Sequence, residues 1–289
     1  MIVNGKEIAI RGRLSRVARL KAEYYESLAD PVGFIGHLKA AGARADVFTF
    51  LQPITEFKPR YDVHQEWESI ALLPISTYEN WWKKQINDKT RNMIRRAGKA
   101  GVEVRVVEFS DELVARIKVI FDESPIRQGK PFKHYRKDLQ TLNNVLGTFV
   151  DCSDFLGAFC QGELIGFIKL VHGDGASHIM SIVCTIKDRD KAPANALMAK
   201  AVEISAQRGS AYLHYAEWSR RGLGDFKKHH GFQQQEVPRY FIPLNVKGSI
   251  VLRFKLHHRA FDLLPGRWAD TLADIRGRLN AIRFKTGSY

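Results

Sequence analysis

Cysteine is scarce in this 289-residue chain, which has three: Cys152, Cys160 and Cys184. Cysteines so few and so widely spaced cannot form a paired-cysteine zinc site, and they suggest no disulfide framework. They flank or lie in apolar stretches, where a free thiol behaves as a small hydrophobe, so buried thiols are expected. Long apolar runs are also missing, and none approaches the roughly 20 residues that cross a bilayer. The opening MIVNGKEIAIRG has no apolar core of signal-peptide length, which makes the cytoplasm the expected compartment. Acidic residues are outnumbered, 31 Asp and Glu against 45 Lys and Arg, for a net charge of +14. Such an excess implies an anionic partner: a phosphate-bearing cofactor, RNA or an acidic membrane surface. The chain has no G-x-S-x-G elbow with a Ser-His-Asp order, no H-E-x-x-H and no Walker glycine run. His257-His258 stands too isolated to argue for a metal, and no metal site is expected.

The composition, 45% hydrophobic and 26% charged, is that of a globular chain, long enough for one large domain or two ordinary ones. Its organising stretch is residues 77–105, TYENWWKKQINDKTRNMIRRAGKAGVEVR. Tyr78, Trp82, Ile86, Met93, Ile94 and Ala97 recur at helical spacing and predict one buried helix face. Lys84, Arg91, Arg95 and Lys99 form a cationic stripe on the other side. Gly101 can take the left-handed conformation that stops a helix. VEVRVVE then reads as a strand.

Residues 1–76 read as strands around one short helix, VGFIGHLKAAG. A second helix starts at Ser110-Asp111 and stops at Pro125, and a third is LQTLNNVLGTF. From residue 150 the order is hairpin, strand, helix, strand, helix, strand. Its hairpin turns at Gln161-Gly162, and its long helix starts at Pro193 and ends before Gly209. After residue 247 a basic tail carries an amphipathic pattern from Trp268 onward, WADTLADIRGRLNAIRF, which predicts a helix packed on the body or lying on an anionic membrane.

The run W-x-x-Q-x-x-x-K-T-R-N-x-I-R-R-A-x-K-A-G-V-E-V-R resembles the signature of the Fem-type peptidyltransferases. It also resembles the wider acetyltransferase-like (GNAT-fold) proteins of bacterial cell-envelope and polysaccharide synthesis. The resemblance covers roughly residues 70–245. It implies an α/β fold of tandem GNAT-like domains, mixed sheets flanked by helices: a degenerate one over 1–149, a clearer one over 150–246, and the tail over 247–289. It implies transfer of an acyl or aminoacyl group to an amine of an envelope or polysaccharide precursor. Two alternatives remain open: a non-catalytic RNA-binding protein on a GNAT-like scaffold, and a membrane-surface partner peripheral to the inner membrane face.

In such folds the donor lies where two central parallel strands splay, here HIMSIVCTI and AYLHYAEW. Simple alternation puts His214 on one face of the second strand and Glu217 on the other. Either could act as catalytic base, and Glu217 could equally pair with Arg220 or Arg221. Coenzyme A enzymes of the fold carry a glycine-bearing loop before the long helix, whose bare N–H groups cradle pyrophosphate. The matching stretch here, IKDRDKAPANALM, has no glycine, and only Lys187, Arg189 and Lys191 remain to attract phosphate. No cofactor is expected to bind tightly, and the donor is either aminoacyl-tRNA or acyl-coenzyme A. The loop SPIRQGKPFKHYRKD interleaves cations with rings, so Arg127, His134, Tyr135 and Lys137, together with Arg91 and Arg95, are the expected contacts for an anionic substrate or tRNA.

Overall fold

The computed structural model describes residues 1–219 and 221–258. In chain order the elements are β1 (Ile2–Val3), β2 (Lys6–Arg11), β3 (Val17–Leu20), α1 (Phe34–Ala40), β4 (Val47–Leu51) and β5 (His64–Pro74). There follow α2 (Tyr78–Asn80), a π-helical turn (Trp81–Gln85), α3 (Asp88–Lys99), β6 (Val102–Val107), α4 (Asp111–Asp122), β7 (Ile126–Arg127), β8 (Lys130–Pro131) and α5 (Leu139–Leu146). The last group is β9 (Ser153–Cys160), β10 (Glu163–Gly173), β11 (Ala176–Cys184), α6 (Pro193–Gln207), β12 (Tyr212–Glu217), α7 (Arg221–His229), β13 (Gln233–Pro243) and α8 (Val246–Arg253).

Among the described residues, eleven strands form one mixed sheet in the order β1-β2-β3-β4-β13-β5-β12-β11-β10-β9-β6. The order contains a repeat. Antiparallel β1-β2-β3, then α1, then β4 parallel to β3, mirrors antiparallel β9-β10-β11, then α6, then β12 parallel to β11. The strand that ends each half is exchanged: β13 pairs with β4, and β5 pairs with β12. The two exchanged strands pair with each other over nine residues at the centre. Each half therefore completes the sheet of the other, and the fold is α/β with two GNAT-like halves around a mixed sheet flanked by helices. The strands that the first half contributes end at Pro74. The boundary expected at residue 150 thus falls inside one continuous sheet, because β6 is the edge strand beside β9.

Local chemistry explains the punctuation. Gln161 and Gly162 both have positive φ, the geometry of a two-residue hairpin turn. Pro193 opens α6, where its missing N–H costs nothing, and Gly209 follows the helix with φ +68°. The apolar side of α6, including Leu197, Met198, Ala201 and Val202, is buried with Leu156, Ile168, Leu170 and Leu213 of the sheet. Phe34 and Leu38 of α1 pack likewise on Phe48, Phe50 and Tyr240.

The organising stretch departs from the single helix its spacing predicts. After α2 the chain makes the π-helical turn, and Ile86 then takes an extended conformation. Asn87 restarts the helix, its side chain accepting the Thr90 N–H at 2.9 Å. The wide turn carries Trp81, not Trp82, into the core at 1% exposure. There its indole N–H donates to the His230 carbonyl at 2.9 Å. Cys160 is buried and Cys184 partly so, but Cys152 is exposed, contrary to the expectation for all three.

Residues 109–148 form a second compact unit. Ser110 caps α4 and Asp138 caps α5 through their side-chain oxygens. Asp111 accepts a hydrogen bond from Asn143, tying the two helices. Of the basic tail, α8 is described; the amphipathic stretch from Trp268 lies outside the described residues. No described helix is long and apolar enough to cross a membrane.

Candidate functional site

β11 and β12 pair in parallel for only three rungs: Ala176 with Tyr212, Ser177 with Leu213, and His178 with His214. Both strands carry an extra residue just beyond the last rung. Against β10, Ile179 faces Leu170 but Ser181 faces Lys169, which leaves Met180 as the insertion. Against β5, His214 faces Leu72 but Glu217 faces Ile70, and Ala216 in that bulge has φ +51°. A bulge bends its strand and sharpens its twist, so paired bulges drive the two strands apart. Beyond them β11 and β12 share no further rungs, the opening expected of a donor site in this fold.

The bulge also corrects the strand reading. Directly paired residues share a face, so Glu217 lies on the face of Ile70, Leu72 and His214, not opposite His214. His214 is 1% exposed, and burial, His178 and Lys227 hold its imidazole well below the usual histidine range. Its Nδ1 meets Nδ1 of His178 at 3.2 Å, and its buried Nε2 has no hydrogen-bond partner. The ring of Tyr24 packs on it at 4.9 Å. The Tyr24 hydroxyl donates to Glu68 of β5. Arg239 of β13 grips Glu23 with two N–H donors at 2.9 and 3.0 Å and also donates to Glu68. Burial opposes the Arg239 charge, but the two carboxylates more than offset it.

Lys227 of α7 is the other feature of this opening. Its side chain is 1% exposed, and its Nζ donates to the Glu217 carbonyl at 2.6 Å and the Ser219 hydroxyl at 3.1 Å. The Tyr215 ring lies 4.6 Å beneath it. Burial pulls its pKa down to about 8. A lysine in that state can offer a proton near neutral pH or take one back.

The remaining expected residues are spread out. Lys191 donates to Asp188 at 2.8 Å, and Thr185 donates to the other oxygen of the same carboxylate. The loop carrying Lys187 and Arg189 therefore has an acid at its centre, and Ala192 closes it with φ +55° before Pro193. Arg91 spends its donors on the Trp82 and Ile86 carbonyls, both at 2.7 Å, and on Asp88. It clasps the π-helical turn. Arg95 is exposed on α3 above the Trp82 ring. In the second unit, Arg127 donates to the Ile120 carbonyl and lies over the Phe132 ring, while His134 stacks on Phe121 at 5.0 Å. Burial first, then Lys133 and Lys137, push His134 down to about 4. Tyr135 and Lys137 are half-buried beside them.

Sequence reasoning missed Lys227, His178, Tyr24, Glu68 and Arg239. Lys227 sits in the run KKHHG, and only its place on the inner side of a short helix could have marked it. His178, Glu68 and Arg239 come together through strand pairing between distant parts of the chain and Tyr24 through the segment before α1, which leaves no local signal.

No protein-family profile matches the chain. No curated protein matches it either. Solved structures do. FemX matches at a TM-score of 0.61 and 10% identity, over 86% of this chain and 86% of that one. The C-terminal domain of an Agrobacterium fabrum protein assigned as a lysylphosphatidylglycerol synthetase matches at 0.58 and 15%, over 89% and 87%. L-PGS from Bacillus licheniformis matches at 0.56 and 14%, over 87% and 86%. Identities this low speak to fold alone, and the chain shares the fold of FemX and of the other two structures.

Proposed function

We propose that the protein is an acyl- or aminoacyl-transferase that acts on an amine of a cell-envelope or polysaccharide precursor. One observation carries the reading: the buried Lys227 amine lies at the end of β12, where β11 and β12 part. Acyl transfer needs a positioned donor for the oxygen that gains negative charge and a base for the attacking nitrogen. Lys227 as ammonium supplies the first, protonating the departing oxygen as its bond to the acyl carbon breaks. Glu217, brought to the His214 face by the bulge, takes the proton that the attacking nitrogen sheds. His214 stays neutral and orients the site.

Aminoacyl-tRNA is the donor this chain fits better. Its loop before α6 presents the Asp188 carboxylate and a proline where a coenzyme A enzyme presents glycine N–H groups. The name of one structural neighbour denotes synthesis of an aminoacyl lipid, which supports an aminoacyl donor and an anionic acceptor. The test is transfer by the full chain from charged tRNA or from acetyl-coenzyme A to amine-bearing envelope precursors. Lys227→Met should lower the rate by about 100-fold, as loss of one oxyanion donor does elsewhere. Equal rates in the variant and the wild type, or no transfer from either donor, would sink the reading.

A further inference from the structure

Away from the strand opening, β5 begins with His64 and Glu66, two residues apart and so on one face of the strand. A third side chain arrives from a distant part of the chain. His257, which follows α8, sets its Nε2 2.9 Å from Glu66 Oε1, and His64 sets its own Nε2 3.3 Å from the same oxygen. One ligand atom from each residue lies within 4.8 Å of the other two. We propose that His64, Glu66 and His257 form a binding site for a divalent transition-metal ion of the zinc class, which ties the segment after α8 to β5.

The spacing fits such an ion. Zinc binds imidazole nitrogen and carboxylate oxygen at about 2.0–2.2 Å, and tetrahedral angles then separate neighbouring ligand atoms by about 3.3 Å. The donor set fits as well. Two imidazoles and one carboxylate suit zinc and its neighbours, whereas calcium and magnesium prefer oxygen alone. The site is also built. The His257 side chain is 2% exposed and its ring packs 4.6 Å from that of Phe241. Its backbone is pinned on the residue before it, where the Leu256 N–H donates to Val251 and the Leu256 carbonyl accepts from Ser15, both at 2.9 Å. His64, with 39% of its side chain exposed, leaves the solvent side open for a water as fourth ligand.

Sequence could not find this site, because His257-His258 alone offers no carboxylate and the partners stand 191 and 193 residues earlier (257 − 66 and 257 − 64). Without a metal, the same three groups form a histidine–carboxylate–histidine hydrogen-bonded set, and each Nε2 carries a proton. With a metal, each Nε2 presents its lone pair and its ring proton moves to Nδ1. Zinc titration separates these two states.

The full chain, stripped with a chelator and desalted, is titrated with zinc chloride in competition with a chromogenic chelator. One zinc per chain is expected, with a dissociation constant of about 1 μM or tighter. His257→Ala and Glu66→Gln should each weaken it by at least about tenfold. His229→Ala, an exposed histidine elsewhere, should leave it unchanged. Zinc should also raise the unfolding temperature of the wild type but not that of Glu66→Gln. Affinity weaker than about 100 μM in the wild type, or affinity retained in both site variants, overturns the proposal.

Discussion

His178 and His214 meet Nδ1 to Nδ1 at 3.2 Å on the last rung before β11 and β12 part. One ring must donate and the other accept, so the two Nδ1 atoms cannot both be protonated without breaking the contact. Burial pushes His178 from 6.5 down to about 4, against the Gly173 carbonyl and Asp174, which pull it up. Burial first, then His178 and Lys227, hold His214 well below its ordinary value. The native state therefore keeps both rings neutral while unfolded histidines take up protons near 6.5. The stabilisation is whole above that pH and is lost as pH falls from 6.5 toward 4. Each unit of depression corresponds to about 1.4 kcal/mol. Denaturant unfolding at pH 7 and pH 5 should show this loss, and His178→Asn should show a smaller one. His134 and His230 are depressed in the same direction, so a residual pH dependence remains. Identical pH dependence in variant and wild type would count against the pair.

Lys227 should trade stability against activity. Its pKa falls from 10.5 to about 8, so the unfolded state binds more protons between those values and stability rises as pH climbs through them. Below about pH 8 the full cost of the buried charge is present. Lys227→Met removes that cost along with two hydrogen bonds, so its unfolding temperature at pH 7 should equal or exceed that of the wild type. If Lys227 is the acid, transfer should fall as pH rises past about 8, and this limb should vanish in the variant's residual rate. A large loss of stability in Lys227→Met would show that the lysine is held there for packing.

Much of the architecture was legible in the sequence, and the reasons are local. The 161–162 turn, the Pro193 start and Gly209 end of α6, and the helix-capping Ser110 all act over a few residues. One continuous buried face from Tyr78 to Ala97 is not formed because the π-helical turn over Trp81–Gln85 and the extended Ile86 break the 3.6-residue spacing, and nothing in WWKKQ announces it. Glu217 was put on the wrong face because a bulge at a non-glycine residue, Ala216, breaks alternation without a glycine to mark it. The exchange of β5 and β13 was invisible because strand neighbours are set by long-range pairing. The Tyr24, Glu68 and Arg239 cluster inherits that invisibility.

Arg239 tests the exchange itself. It stands on β13 but binds Glu68 on β5 and Glu23 from the segment before α1. Replacing it with Met leaves two partly buried carboxylates without their counter-charge. Breaking a buried pair from one side costs about 3–5 kcal/mol, a large share of the stability of a domain. Arg239→Met should lower the denaturation midpoint accordingly, and the double variant Arg239→Met with Glu23→Gln should recover part of the loss. A single variant within 1 kcal/mol or so of the wild type would mean that the cluster is solvated and not structural.

Acetyl-coenzyme A should bind poorly. A phosphate held at a helix start needs free N–H groups and close backbone approach. Pro193 has no N–H, and the Asn195 and Ala196 N–H groups already turn to the Ala192 carbonyl at 3.1 and 3.4 Å. Ala192 is 3% exposed, so its methyl group fills space a cradle would leave to phosphate oxygen. Asp188 adds a negative charge beside it, and Lys191 is engaged with that carboxylate. Losing two or three backbone contacts at about 1 to 1.5 kcal/mol each nearly spans the roughly 4 kcal/mol between micromolar and millimolar affinity. Calorimetry at physiological salt should give a dissociation constant no better than high micromolar. Asp188→Asn should improve it only modestly, because the missing N–H groups remain missing. Low-micromolar binding by the wild type would return the chain to the coenzyme A enzymes and remove the argument for an aminoacyl-tRNA donor.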